Sequence, residues 1–111
     1  MSDALASTPQ PPYWAVIFTS VRNPIENDGY GVVGDRMEEL ARQQPGFLGL
    51  ESVRADDNSG ITVSYWASED AVRNWKANLE HREAQRKGHT GFYARWFVRV
   101  CKVERAYSFE L

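Results

Sequence analysis

The sequence predicts an α+β domain of order β-α-β-β-α-β, with an antiparallel sheet and both helices on one face. Three observations predict it. Two dense β-branched and aromatic runs, Tyr13 to Ser20 and Ala94 to Phe109, bracket the chain. Between them lie two apolar stripes at helical spacing and two further runs of strand length. The latter two runs are separated by Asp56-Asp57-Asn58-Ser59-Gly60, a five-residue polar turn that makes them a hairpin.

Each element has a local reason. Tyr13 to Ser20 alternates Tyr13, Ala15 and Ile17 with Trp14, Val16 and Phe18, so both faces are apolar and both need cover. Asn23-Pro24 breaks it. Asn27 to Gln44 is the first predicted helix, with Tyr30, Val33, Met37, Leu40, Ala41 and Gln44 on one stripe and Asp28 as a first-turn cap. Pro45-Gly46 ends it, because proline cannot continue a helix and glycine supplies the exit turn. Phe47 to Arg54 is the second strand and Ile61 to Trp66 the third, with faces Ile61/Val63/Tyr65 and Thr62/Ser64/Trp66. Ser68-Glu69-Asp70 opens the second helix with a hydroxyl cap and two acids at the positive end of the dipole. Val72, Trp75 and Leu79 carry its buried stripe, and a polar helical stretch, Glu80 to Lys87, follows. The final strand, Ala94 to Phe109, sets Phe97, Cys101, Val103 and Tyr107 against Trp96, Val98 and Val100. This order is the ferredoxin-like split βαβ arrangement. Helices cover one face only, so the apolar second face predicts a homodimer with sheet packed on sheet.

Length and composition bound the function. The 111 residues make one domain, residues 13–111, behind a flexible arm at residues 1–12. A chain of 12.7 kDa buries about two-thirds of its unfolded surface, enough for a core without staples. Net charge is −2, which argues against a generic nucleic-acid or anionic-membrane partner. Cys101 stands alone, so no intrachain disulfide or cysteine-cluster metal site is expected. No apolar run is long enough to span a membrane, and Met1 to Pro12 lacks the pattern of a secretory signal, so the cytoplasm is the expected compartment. Fourteen aromatic residues, 4 Trp, 5 Tyr and 5 Phe, are a heavy load that points to an apolar cavity or an interface.

Gly29-Tyr30-Gly31-Val32-Val33-Gly34 matches the spacing of a dinucleotide-binding loop, but it does not follow its strand directly and leads into a hairpin rather than a parallel strand. His81 and His89 are the only histidines and make a poor metal pair, so no metal is expected. His81 shares a helix face with Gln85 and reads either as a pocket acid/base or as a solvated helix residue. His89 reads as loop surface. Trp66, Trp75, Phe92, Tyr93 and Trp96 read singly as core. Together, beside His81, they suit a pocket for a flat aromatic ligand. Arg95, Arg99 and Arg105 read as salt-bridge partners for Glu51 or Glu104, and Cys101 as a small buried hydrophobe. No flavin or haem attachment motif is present, and no cofactor is expected.

An ordered set of residues resembles the antibiotic biosynthesis monooxygenase (ABM) domain family. It comprises Tyr13 to Phe18, Gln44-Pro45-Gly46-Phe47-Leu48-Gly49, Ser64-Tyr65-Trp66, Trp75-Lys76, His81, Ala84-Gln85, Gly88, Tyr93, Arg99, Val103, Arg105 and Tyr107. The resemblance implies a dimeric α+β barrel, with a pocket between each sheet and its helices. It also implies cofactor-independent oxidation of a small aromatic phenol, quinol or polycycle by O₂, or haem degradation; the residues themselves leave open binding of a small hydrophobic molecule without turnover, or aromatics that fill the core with no cavity. In the haem-degrading branch a tryptophan precedes the ligand histidine by ten residues. Trp75 matches that tryptophan, but Gln85 stands in the ligand position, so haem ligation is not carried over. For the phenol-oxidising branch, Trp75 and His81 become the catalytic candidates. Trp66, Gln85, Phe92, Tyr93 and Trp96 become the substrate-binding ones.

Overall fold

The computed structural model describes residues 4–22, 38–85 and 93–111, with the backbone alone described for 79–85. Strand β1 (Tyr13–Arg22) precedes helix α1, described over 38–42; then come β2 (Phe47–Arg54), β3 (Ser59–Trp66), α2 (Glu69–Gln85) and β4 (Tyr93–Val103). The four strands form one antiparallel sheet in the order β2-β3-β1-β4. With both helices it is an α+β ferredoxin-like fold, as the sequence predicts. The Asn27 to Met37 part of the first predicted helix, with Asp28 and the glycine motif, lies outside the described residues.

Register explains the packing. Trp14 pairs with Trp66, Val16 with Ser64 and Val100, and Phe18 with Thr62 and Val98. Cross-strand partners share a face, so Trp14, Val16, Trp66 and Val98 lie together under the helices. There Val16, Trp66, Ala41 of α1, and Ala71, Val72 and Trp75 of α2 form the buried core. The indole of Trp66, wholly inaccessible, donates from Nε1 to Ser64 Oγ at 2.8 Å. That bond satisfies two polar groups burial would otherwise leave costly.

The signals read from the sequence act as physical devices. Ser68 Oγ accepts from the amide of Ala71 at 3.1 Å and caps α2, and Arg73 pairs with Glu69 and Asp70 in its first turn. Gly46 has φ +83°, and a Cβ there would lie 2.7 Å from Ala71 Cβ. Glycine thus serves both the left-handed turn and the close approach of the chain to α2. In the hairpin, Asn58 takes φ 72°, while the Asp57 carboxylate accepts from Ser59 Oγ at 2.5 Å and the Ser59 amide at 3.0 Å. These two bonds hold the Asp57 carboxyl below its ordinary value.

Several boundaries differ from the sequence reading, among them the end of β1, which reaches Arg22 rather than Ser20, and the start of β4, at Tyr93 rather than Ala94. β3 begins at Ser59, where Val21 still offers a partner, so the turn is shorter than Asp56 to Gly60. Helix α2 is continuous over Glu69–Gln85 instead of dividing at Glu80. β4 ends at Val103, not Phe109. Val103 pairs with Tyr13, the first residue of β1, and before Tyr13 stand Pro11 and Pro12, which have no amide hydrogen to extend the ladder.

On the face away from the helices lie Tyr13, Ala15 and Ile17, with Tyr65 and Val63 opposite Ala15 and Ile17. Residues of the N-terminal segment cover part of it. Ala6 donates its amide to Glu51 Oε2 at 2.9 Å, Tyr65 donates its hydroxyl to Glu51 Oε1 at 2.6 Å, and Thr8 Oγ1 donates to the Tyr13 hydroxyl at 2.9 Å. Ala6 approaches so closely that a Cβ on Gly49 would lie 3.0 Å from its own.

Candidate functional site

The site candidate is a cleft between α2 and β4. Strand β4 is an edge of the sheet, and α2 lies over the central strands, so the gap above β4 is left open. The cleft has a volume of about 330 Å³ and is lined by Lys76, Trp96, Phe97, Val98 and Val100. That volume falls within the range of small-molecule clefts. Trp96, Val98 and Val100 project to the helix side at period two. Phe97 alternates to the other face yet also borders the cleft, with the Arg99 guanidinium 4.0 Å from its ring centroid.

Aromatic contacts shape one end. Phe18 of β1 stacks on Trp96, centroids 6.1 Å apart and planes 22° from parallel, and meets Tyr93 edge-on at 5.2 Å. Trp96 remains 48% exposed, so a face of its ring is available to a ligand. Lys76 brings a cationic side chain to an otherwise apolar lining. Such a surrounding suits a flat apolar molecule that can carry negative charge, which the Lys76 ammonium would attract.

The sequence-selected residues divide into three groups. Trp96 lines the cleft and Tyr93 joins its aromatic end through Phe18. Trp66 and Trp75 are buried in the core and stacked on one another, centroids 5.7 Å apart and planes 26° from parallel, behind Lys76. His81 and Gln85 belong to the C-terminal part of α2, and their side chains lie outside the described residues, as do Phe92 and His89. Sequence reasoning passed over Lys76, Val98, Val100, Phe97 and Phe18 as site residues. The period-two alternation of β4 did place Trp96, Val98 and Val100 on one face. Nothing local marked Lys76, which follows directly on a core tryptophan.

Other placements bear on charge. Glu51 receives Tyr65 and the Ala6 amide, no ion pair with Arg95, Arg99 or Arg105 is seen among the described residues, and Cys101 is exposed instead of buried. Burial raises the Tyr65 hydroxyl pKa well above its ordinary value, and the hydrogen bond to Glu51 adds to the rise. Among the described residues, no three His, Cys, Asp or Glu side chains gather where they could hold a metal ion. No helix among them is long and apolar enough to cross a membrane.

Comparison with known proteins gives this cleft a context. The sequence profile described as "Antibiotic biosynthesis monooxygenase" matches residues 31–87. The chain is 53% identical over 111 residues to the uncharacterized protein YqjZ of Bacillus subtilis, covering 99% of this chain and 96% of that one. It is 27% identical over 94 residues to jasmonate monooxygenase ABM of Pyricularia oryzae, covering 81% of this chain but 43% of that longer protein. Its fold is similar to the crystal structure of SnoaB, a cofactor-independent oxygenase from Streptomyces nogalater, with TM-score 0.68 and 19% identity over 86% of this chain and 97% of the other. At that identity the likeness concerns the fold alone. The profile spans slightly more than half of the sequence, and the chain belongs to the antibiotic biosynthesis monooxygenase family.

Proposed function

We propose that the protein is a cofactor-independent monooxygenase that oxidises a small aromatic phenol, quinol or polycycle with O₂ in the cleft between α2 and β4. The observation that carries the reading is the cleft itself, with an aromatic and aliphatic lining and one lysine. Family membership and the oxygenase names of SnoaB and the jasmonate monooxygenase support it.

The substrate supplies the electrons. A base removes a proton from an acidic phenol or anthrone-type carbon, leaving an electron-rich anion. The anion passes one electron to O₂, and the two radicals combine into a peroxide anion that takes the proton back from the base to give a hydroperoxide. Loss of water then leaves a carbonyl. One oxygen atom ends in the product and the other in water, and the substrate gives up the four electrons that reduce O₂. The chain's part is to hold the ring against Trp96 and Phe18 and stabilise the anion with Lys76. His81 on α2 is the proposed base, and Gln85 and Phe92 are proposed substrate contacts. Trp75 acts as a positioning residue by holding Trp66 and the neighbouring Lys76 in place.

The working unit is proposed to be a homodimer packed through the helix-free sheet face, on residues 13–111 as one domain. The cytoplasm is the proposed compartment. A second reading, a ligand-binding protein without turnover, is favoured by the fact that Lys76 is the one ionisable residue described in the cleft lining. An oxygen electrode separates the two. Monooxygenation consumes O₂ with an anthrone or naphthol and yields the corresponding quinone, whereas a binder quenches Trp96 fluorescence with the same compounds and consumes none.

A further inference from the structure

The helix side of the sheet changes character along its length. Under α1 and α2 it is apolar, with Val16, Trp66 and Trp75 buried together. Towards the β2-β3 hairpin the same side turns polar. Thr62 pairs with Phe18 and Ser52, and Gly60 pairs with Ser20 and Arg54, so Thr62, Ser52, Ser20 and Arg54 share the face of Trp66. Ser52 Oγ and Thr62 Oγ1 lie 2.8 Å apart. An arginine on an edge strand has water within easy reach, yet Arg54 of the edge strand β2 turns inward across the sheet.

Arg54, Gly60, Ser20 and Trp96 form one cross-sheet row, with one residue from each strand. Gly60 is the opening in that row. A Cβ there would lie 2.8 Å from Arg54 Cζ and 2.9 and 3.0 Å from its two terminal nitrogens, so the guanidinium rests directly over the glycine backbone. It is held in that place from both sides. Nη1 donates to the Asn58 carbonyl at 3.0 Å, and Nη2 reaches Ser20 Oγ at 3.5 Å. These two acceptors are neutral. Ser20 is 1% exposed and accepts from Arg54, so its own hydroxyl hydrogen is left to be given. A guanidinium fixed in advance loses less freedom on meeting an anion than a mobile one.

The row leads into the aromatic end of the cleft. Beyond Ser20 stands Trp96, stacked on Phe18, and Tyr93 meets the same ring edge-on. Gly60 and Trp96 are two strand spacings apart, about 10 Å. A ring lying on Trp96 therefore needs only the length of a bicyclic acid to bring a carboxylate to Arg54. The planar fork of a guanidinium matches the two oxygens of that group.

We infer that Arg54 and Ser20 bind the carboxylate of a ligand whose ring lies on Trp96, so that the cleft takes aromatic carboxylic acids about two rings long. The inference rests on the cleft proposed above as the ligand site and names its substrate class. The two cations then have separate tasks: Arg54 holds the carboxylate, and Lys76 faces an oxygen on the ring.

Fluorescence titration with 2-naphthoate and its neutral counterpart 2-naphthamide tests it. Neither compound is a phenol, so the measurement does not depend on turnover. Wild-type protein is expected to bind the acid on the order of 10-fold or more tighter than the amide. Arg54→Gln is expected to remove that preference while keeping the affinity for the amide. Ser20→Ala, which leaves the arginine in place, is expected to reduce the preference and serves if Arg54→Gln does not fold. Equal affinities for acid and amide in the wild type would overturn the inference. So would an equal loss of both ligands in Arg54→Gln, the mark of a purely structural arginine, or a preference that survives Arg54→Gln and disappears in Lys76→Met. Oxidation is read separately. O₂ uptake with a neutral naphthol, without any preference for the acid, removes the carboxylate site and leaves the monooxygenase standing. A clear preference for the acid, with no O₂ uptake from hydroxynaphthoates, does the reverse.

Discussion

Replacing Trp75 by alanine separates a core role from a role at the ligand. The side chain is buried and stacked on Trp66, which is itself wholly inaccessible. Truncating a buried tryptophan costs about 3–5 kcal/mol, of which the ring pair accounts for about 0.5–1.5 kcal/mol. With a urea slope of about 2 kcal/mol per molar, a loss of about 4 kcal/mol lowers the midpoint by roughly 2 M. It lowers the melting temperature by about 15 °C for a domain of this size. The assay is circular dichroism at fixed protein concentration, because dimer formation makes apparent stability depend on concentration. Trp96→Ala is the control. It removes a half-exposed ring from the cleft, so it is expected to cost about 1 kcal/mol of stability while abolishing quenching by an aromatic ligand. If Trp75→Ala leaves the midpoint nearly unchanged and removes ligand binding, the core placement of Trp75 is refuted.

Other expectations follow from the same geometry. Gly46→Ala is expected to destabilise by about 2–4 kcal/mol, from left-handed backbone strain plus the contact with Ala71, read as a urea midpoint; an unchanged midpoint contradicts it. Lys76→Met is expected to raise the pKa of a bound phenol, so that the pH at which its phenolate absorbance appears moves upward; no movement would remove lysine from the anion site. His81→Ala is expected to slow O₂ uptake on the order of 10²-fold and abolish the rise of rate with pH near about 6.5; an unchanged profile assigns the base elsewhere. The raised Tyr65 pKa carries its own sign. The folded state holds that proton more tightly, so the contribution is complete below the unfolded value of about 10 and is lost as pH rises beyond it. Tyr65→Phe is expected to remove that alkaline loss, measured as melting temperature against pH.

Much of the fold was legible because its punctuation is local. Phe47–Arg54 has the expected bounds, since Pro45-Gly46 fixes its start and the Asp-Asp-Asn run its end. Ser68 caps α2 as its sequence signature requires. The faces of β1 and β3 follow directly from alternation. What escaped depends on distant parts of the chain. Alternation alone extends β4 to Phe109, because it does not register that the neighbouring strand has ended at two prolines. The contact of Ala6 with Glu51 spans 45 positions, and nothing in the Ser, Thr and Pro-rich start announces it. Lys76 was overlooked because its role arises from where α2 lies relative to the edge of β4, a tertiary fact. The same holds for Trp75, whose helical stripe told of burial but not of which neighbour it would meet.

Oxygen consumption by flavin-free, metal-free protein tests the central claim most directly. With an anthrone or naphthol as sole reductant, the account predicts one O₂ consumed per quinone formed, with no hydrogen peroxide released, and a rate at least tenfold lower in Trp96→Ala. Tight binding of these compounds to the cleft, with no O₂ consumed by any of them, would contradict it.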